Sequence, residues 1–453
     1  MRAGLKRLVT GCAAILLGAG GFVICRSKFC ESNASGGEPA SGVRIDSTAI
    51  ALLPPKGSEP IDLEIRKLQD EAKSKPMDPK AMVRLGWAFV KKARLTYDPG
   101  YYKFAEQTAT AAELRHPNDP DALLLRGHVL ESLHQFNEAE PIARQLITIR
   151  RQSSDYGLLG DSLMEQGRLG PAVEAYQKMV DLRPDLEAYT RIAHLRWLTG
   201  DLDGALEIMQ TAATGTSVLA AEGSAWAYTR LGMYQLQKGQ LDDAAQSATL
   251  ALEYAKSYPA ALSLQGKILL AQGKVSAAVP RFSQAAQQVR LPEYQWILAD
   301  ALREAGQPQA AANEERQLAQ NGASNDPRTF AIYLASRGQK PDEALRLALA
   351  ELKTRQDVFT MDAVGWALYA KGRYAEAAGY SEKSLLASTQ DARLFYHAGC
   401  IAMKTENRGK AEKFFQSTAG IRQMLFPSER ADFDQQFAAL QGTGPSARAV
   451  SSN

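Results

Sequence analysis

The sequence predicts an all-α solenoid built from about ten helical hairpins. Three observations lead to this prediction. The chain has 453 residues, which is too many for one ordinary compact core. Small residues recur through most of it with a nearly constant period, which is roughly that of a helical hairpin repeat. Glycines stand where such a hairpin would turn, and glycine accepts the left-handed conformation that ends a helix. A repeat of this kind lengthens the chain without enlarging its core.

Each repeat pairs a small residue on a first helix with an alanine twelve positions later on a second helix. Two antiparallel helices can approach closely only where small residues face each other. The step from Ala193 to Gly232 is longer than the others, and one repeat keeps its alanine, Ala344, but has Ile332 as the partner. The other pairs are Gly127/Ala139, Gly160/Ala172, Ala193/Ala205, Gly232/Ala244, Gly266/Ala278, Ala299/Ala311, Gly365/Ala377 and Gly399/Ala411.

Two stretches carry a family resemblance. Tyr156-Gly-Leu-Leu-Gly160-x-x-Leu163, followed by Ala172-x3-Tyr176 and Pro184, resembles the tetratricopeptide repeat consensus, and Gly365–Leu385 is similar to it as well. The resemblance covers residues 78–420. It implies a right-handed superhelix whose first helices line a concave face, and it extends to bacterial membrane-anchored or secreted tetratricopeptide proteins without an assigned activity.

The remaining segments are assigned from composition and position. We expect a signal peptide or membrane anchor, a flexible Ser-, Gly- and Pro-rich linker, a capping helix, the repeat array, a second capping helix and a disordered tail. Their boundaries are residues 1–30, 31–60, 61–77, 78–420, 421–440 and 441–453.

The N-terminus predicts attachment to, or export across, a membrane. Residues 1–7 are basic and residues 8–25 carry no charge, which fits a retained anchor or a cleaved signal peptide. Val9-Thr10-Gly11-Cys12 also resembles a lipobox, so a lipoprotein modified at Cys12 is a third alternative. The basic start favours the cytoplasm for residues 1–7, which would place the repeats outside it, in the cell envelope.

The concave face holds the residues from which we predict a function. In the tetratricopeptide family this face takes the positions six before, three before, one after and four after the small residue of the first helix, which share one side of a helix. All five tryptophans fall there, with several tyrosines and histidines. Aromatic side chains of this kind dominate binding hot spots, although each could instead pack against a neighbouring hairpin. The predicted groove consists of Trp87, His128, His194, Trp197, Trp226, Trp296, Tyr333, Trp366, Tyr369 and Tyr396.

The same positions hold more acidic than basic residues, so we expect a groove that leans acidic and a ligand that leans basic and apolar. We expect a protein or peptide partner there. No nucleic-acid partner is expected, because the chain shows no basic stripe and the basic residues near its N-terminus account for its net charge of +3.

No enzymatic function is predicted. The sequence lacks a phosphate-binding loop, a zinc-type Cys or His cluster and a nucleophile elbow, so we expect no catalytic residue, cofactor or metal. The leading hypothesis is an interaction scaffold in the cell envelope. The alternatives are an accessory or regulatory subunit of an envelope enzyme or polymer-export machine and, third, an enzyme with an unusual site. The sequence leaves the oligomeric state open.

Overall fold

The structure is a computed structural model that describes residues 46–442. The anchor or signal predicted at 1–30, residues 31–45 of the predicted linker and residues 443–453 of the predicted tail lie outside this range. The described part contains 23 α-helices and two short 3-10 helices, with no strand. None of these helices is both long enough and apolar enough to span a bilayer.

Ten antiparallel hairpins form the body of the protein, and the predicted α-solenoid is confirmed. Each hairpin is a first helix and a second helix joined by a short turn. The hairpins are, in order, α3 (Pro79–Thr96) and α4 (Gly100–Arg115), α5 (Pro120–Ser132) and α6 (Phe136–Ile149), α7 (Ser153–Glu165) and α8 (Leu169–Leu182), α9 (Leu186–Leu198) and α10 (Leu202–Ala213), α11 (Ala221–Gln237) and α12 (Leu241–Tyr254), α13 (Pro259–Ala271) and α14 (Val275–Gln288), α15 (Pro292–Glu304) and α16 (Pro308–Asn325), α17 (Pro327–Ser336) and α18 (Pro341–Glu351), α19 (Val358–Ala370) and α20 (Tyr374–Ser384), and α21 (Ala392–Lys404) and α22 (Arg408–Gly420).

Close packing explains the periodic small residues. The nine alanines that recur at the repeat period in the second helices are all fully buried. A Cβ atom on Gly160 would lie 2.3 Å from Cε1 of Tyr176, and one on Gly266 would lie 2.4 Å from Cε1 of Phe282. The missing side chain therefore makes room for an aromatic ring of the partner helix, and any larger residue would push the two helices apart.

Additional helices cover both ends of the array. At the N-terminal end, α1 (Ser47–Ala51) packs against α4, and α2 (Pro60–Ser74) packs against α3. Residues 46–60 were expected to be flexible linker, but α1 lies there because Asp46 caps its first N–H groups and the Gln69 side chain donates to the carbonyl of Ala51. At the other end, α23 (Pro427–Leu440) packs against α22 and also reaches α15.

Two insertions interrupt the regular period. In the first hairpin, the extra residues lengthen α3 to Thr96 and end it at Tyr97, which has a left-handed backbone (φ 53°) and packs against the C-terminal core. The longer step between the fourth and fifth hairpins contains a 3-10 helix, Val218–Ala220, between α10 and α11. Val218 and Leu219 in this helix are exposed to solvent.

The array doubles back on itself, so that hairpin turns of its first half contact loops of its second half. The main-chain N–H of Gln356 donates to the main-chain oxygen of Glu165 at 2.9 Å. The hydroxyl of Thr389 donates to the main-chain oxygen of Leu198 at 2.5 Å, in a buried position. Carbonyl groups in the last turn of a helix lack a partner within that helix, so these loops satisfy them.

Further contacts join the first half of the array to the second half. The Gln423 side-chain amide donates to the main-chain oxygen of Gln237 at 2.9 Å, and the Arg355 guanidinium pairs with the carboxylate of Glu165 at 2.5 Å. The ring of Phe359, at the start of α19, stacks on Trp197 with centroids 6.0 Å apart. We call this region the seam. It comprises residues 165–167, 198–200 and 236–237 on one side and residues 355–359, 388–390 and 423 on the other.

Candidate partner-binding face

The ten predicted groove residues lie on first helices, and the chain itself covers most of them. Trp87, His194 and Tyr369 are half-buried. The other seven are buried, with Trp296 completely inaccessible. The buried members are His128, Trp197, Trp226, Trp296, Tyr333, Trp366 and Tyr396.

Three of the tryptophans use their indole N–H inside the chain. Trp197 donates to the Gln237 side chain at 2.9 Å, and Trp366 donates to the hydroxyl of Ser336 at 2.9 Å. Trp296 donates to the hydroxyl of Ser428 at 3.3 Å and has the ring of Phe426 edge-on at 5.1 Å. In this closed arrangement these side chains stabilise the array, and their role in partner binding stays a prediction.

An aromatic block holds the last two hairpins together. The His397 ring stacks on Trp366 with centroids 3.9 Å apart, and Tyr369 stacks on the same indole at 4.6 Å. Asp362 accepts a hydrogen bond from Nδ1 of His397 at 2.9 Å. The block gives Tyr369, its half-exposed member, a well-defined position.

The expected acidic lean of the concave face is largely offset by arginines and lysines. Asp161 forms a bidentate pair with Arg191 at 2.8–3.0 Å. Glu293 pairs with Lys267 at 2.8 Å. These partners neutralise the acids because an unpaired charge is costly to bury. Arg191 lies two positions before Ala193, the small residue of its helix. The predicted pattern of groove residues does not include this position.

Arg230 occupies the equivalent position, two before Gly232, and its surroundings differ. Its guanidinium lies 5.8 Å from the Trp197 ring, 6.0 Å from the Trp226 ring and 5.5 Å from the Tyr234 ring. Among residues 46–442, no carboxylate comes within the 4.0 Å of an ion pair with this guanidinium. Aromatic faces attract the cation without neutralising its charge.

Arg230 donates a hydrogen bond to Nδ1 of His194 at 2.9 Å. Burial and the neighbouring guanidinium lower the pKa of His194 to about 3, so its imidazole is neutral and can accept this bond. Nε of Arg230 is buried without a hydrogen-bond partner. The Arg230 residue as a whole is half-buried. No ion pair within residues 46–442 neutralises this charge, and its influence extends to Glu293, whose pKa, despite burial, is lowered mainly by Lys267 and in part by Arg230.

The remaining titratable groups fit structural roles. Burial and the nearby Asp161 carboxylate raise the pKa of Glu131 well above its usual value, and the Ser162 hydroxyl donates to it at 3.1 Å. Cys400 is buried, and burial raises the pKa of its thiol, which makes it a poor nucleophile. Across residues 46–442, no group of three His, Cys, Asp or Glu side chains is arranged to hold a metal ion.

Stacked hairpins of this period define a helical-repeat protein of the α-solenoid class. Residues 158–218, 229–289 and 263–326 match the tetratricopeptide repeat family. The chain therefore contains tetratricopeptide repeats, which are modules for protein–protein interaction. No curated protein sequence matches the chain.

Several solved structures are similar in fold. PilF of Pseudomonas aeruginosa is 15% identical over 44% of this chain and 90% of its own, with a TM-score of 0.39. MamA of Desulfovibrio magneticus RS-1 is 22% identical over 34% of this chain and 84% of its own, with a TM-score of 0.29. A human IFIT1 dimer with m7Gppp-AAAA is 12% identical over 83% of this chain and 94% of its own, with a TM-score of 0.47. These similarities are too distant to transfer a partner or an activity.

Proposed function

We propose that this protein is a non-catalytic scaffold that binds a partner protein on its concave face, with Arg230 at the centre of the contact. The environment of Arg230 is the observation that supports this proposal most strongly. Its guanidinium lies among three aromatic rings on a half-buried residue, and no carboxylate of residues 46–442 is in ion-pair range. Folded proteins rarely bury part of a charge without a counter-ion, so an external anion would complete the site.

The chemistry around Arg230 indicates the kind of segment that binds. A carboxylate can accept two hydrogen bonds from one guanidinium, and such charge-assisted bonds are strong. Trp226 and Tyr234 would contact an apolar or aromatic side chain beside that carboxylate. We therefore propose a partner segment with an acidic group next to an apolar residue, in place of the basic ligand that the sequence pattern suggested.

Site-specific photo-cross-linking tests where the partner binds. Tyr369, half-exposed on a first helix, is replaced by a photoreactive phenylalanine derivative, and adducts are collected from native membranes. The matched control carries the same residue at Leu182, which is exposed on a second helix. If the proposal is right, position 369 gives a discrete cross-linked product, and position 182 does not give that product. Identical adducts from both positions would count against a concave binding face.

We also propose that the array is held at the cell envelope by its N-terminal segment. The support is the uncharged run 8–25 behind a basic start. Membrane fractionation of the full chain, compared with a Cys12→Ala variant, separates the alternatives. Loss of attachment only in the variant indicates a lipoprotein, attachment of both indicates a retained anchor, and a shortened product free of the membrane indicates cleavage.

A further inference from the structure

The seam joins the two halves of the array through hydrogen bonds of loops, an ion pair and a ring contact. It lies beside the proposed binding face. Trp197 illustrates this position. One side of its ring faces Phe359 across the seam, and Arg230 lies 5.8 Å away on the next hairpin of the same half. Its indole N–H bonds to Gln237, whose own amide donates to the main-chain oxygen of Gln390. The Trp197 side chain therefore takes part in the seam and also lies next to Arg230.

The loops that close the seam are alike in sequence and in position. Gln356 and Gln390 are one repeat period apart, and each is followed by an aspartate that caps the next first helix. Gln423 lies one further period along the chain. The main-chain N–H of Gln356 donates to the main-chain oxygen of Glu165. Gln237 is the partner of the other two: its side-chain amide donates to the main-chain oxygen of Gln390, and its main-chain oxygen accepts from the Gln423 side chain. Because these contacts recur at the repeat period, we regard them as one continuous interface between the two halves.

We propose that the seam is a latch, whose opening gives an acidic partner segment access to the concave face around Arg230. This inference rests on the proposed function and adds its regulation. In the closed form Trp197 is buried, and the ring of Phe359 from the other side of the seam stacks on it. Binding then requires the open form, and the apparent affinity scales with the fraction of molecules that are open.

The architecture allows such an opening. In a helical-repeat array, each hairpin is stabilised by its immediate neighbours, so separating the seam leaves every hairpin and its fully buried alanine intact. The seam includes the Arg355–Glu165 ion pair and hydrogen bonds to helix-terminal carbonyls, which water can replace when the seam parts. Its apolar contacts include the ring of Phe359 on Trp197 and the packing of Val358 and Leu394 into the core of the first half, and opening would expose these side chains.

Two glycines provide a specific way to open it. A Cβ atom on Gly167 would lie 2.5 Å from the main-chain oxygen of Gln356, and one on Gly200 would lie 2.6 Å from that of Ser388. The double variant Gly167→Ala/Gly200→Ala therefore pushes the seam apart. The control is Gly239→Ala/Gly273→Ala, because these turn glycines have φ values of 78° and 73°, close to the 73° and 89° of the first pair, and nothing within 4 Å of the added Cβ.

The test compares the two double variants in the full chain carrying the photoreactive residue at position 369. Acrylamide quenching of tryptophan fluorescence reports opening, because Trp197 is buried against Phe359 of the seam. Far-ultraviolet circular dichroism checks that both variants keep their helices. The latch predicts stronger quenching and about a ten-fold higher adduct yield at limiting partner for the opened variant, the order expected when several hydrogen bonds holding the closed form are lost. The control variant should match the wild type in quenching and in adduct yield.

The outcomes separate the two proposals. Stronger quenching with an unchanged adduct yield would overturn the latch and leave the concave binding face standing. Unchanged quenching in a folded opened variant would also overturn the latch, since the seam would then not shield Trp197 from solvent. An absence of adducts in every variant, including the wild type, would remove the proposed function and the latch together.

Discussion

Gly167 lies against the main-chain carbonyl of Gln356, so closely that a Cβ atom on residue 167 would fall 2.5 Å from the carbonyl oxygen. The two residues belong to the turn of the third hairpin and to the loop before the ninth first helix. Most contacts in a helical-repeat array are between neighbouring hairpins. This one joins distant hairpins, and it closes the array around the face that we propose to bind partners.

Reversing the charge of Arg355 should open the seam. The Arg355 guanidinium pairs with Glu165 at 2.5 Å and with Asp357 at 3.2 Å. Glu351 also lies 3.8 Å from this guanidinium, so Arg355→Glu places four carboxylates together. We expect stronger acrylamide quenching and a larger radius of gyration with unchanged helicity. The control is Arg373→Glu, which breaks an exposed pair with Glu376 away from the seam. If both variants quench like the wild type, Arg355 does not hold the array closed.

A methyl group at Gly160 should destabilise the third hairpin. The added Cβ would meet the Tyr176 ring at 2.3 Å, and overpacking of this kind costs about 1–3 kcal/mol. Gly379→Ala is the matched control, because Gly379 lies in α20 with nothing within 4 Å of its Cβ position. Alanine there should instead stabilise the helix by about 0.5–1 kcal/mol. Urea unfolding of both variants measures the difference, and equal midpoints would show that the helix contact at Gly160 is wrongly placed.

The buried carboxyl of Glu131 should make stability depend on pH. Because burial raises its pKa in the folded state, the neutral acid favours folding at pH values below its ordinary 4.5. That contribution is lost as the pH rises from there through the raised pKa. Glu131→Gln keeps a neutral group, so its melting temperature should equal that of the wild type at low pH and exceed it increasingly as the pH rises. Glu253→Gln, at an exposed position, should show no such trend.

The hairpins could be predicted from sequence because each depends on local spacing. The pairing of Gly160 with Ala172, twelve positions apart, already implies two helices in close contact. Placing the tryptophans on first helices required only the same register.

The seam could not be predicted in the same way. It depends on the pitch of the superhelix, which sums small rotations over several hairpins. Gly167 and Gly273 both end a first helix with a φ of 73°, but only Gly167 lies against a distant loop, and nothing lies within 4 Å of a Cβ atom on Gly273. Gln356 and Gln390 contact the other half through their main-chain atoms, so their side chains gave no sequence signal for the seam.

Arg230 was missed because the pattern of groove residues covered only four positions of each first helix. Arg230 and Arg191 both lie two positions before the small residue, outside those four. Sequence also could not show that Asp161 neutralises Arg191 whereas no carboxylate of residues 46–442 pairs with Arg230.

The most direct test of the account is the affinity of the cross-linked partner for two arginine variants, measured by titration calorimetry at two salt concentrations. Arg230→Gln removes the charge at the centre of the proposed contact. Arg196→Gln removes an exposed arginine that pairs with Asp201 on the surface. We predict that Arg230→Gln weakens binding about 10- to 100-fold and reduces its salt dependence, as expected for the loss of a charged hydrogen bond, while Arg196→Gln binds like the wild type. Equal affinities for the wild type and Arg230→Gln would contradict the proposed binding face.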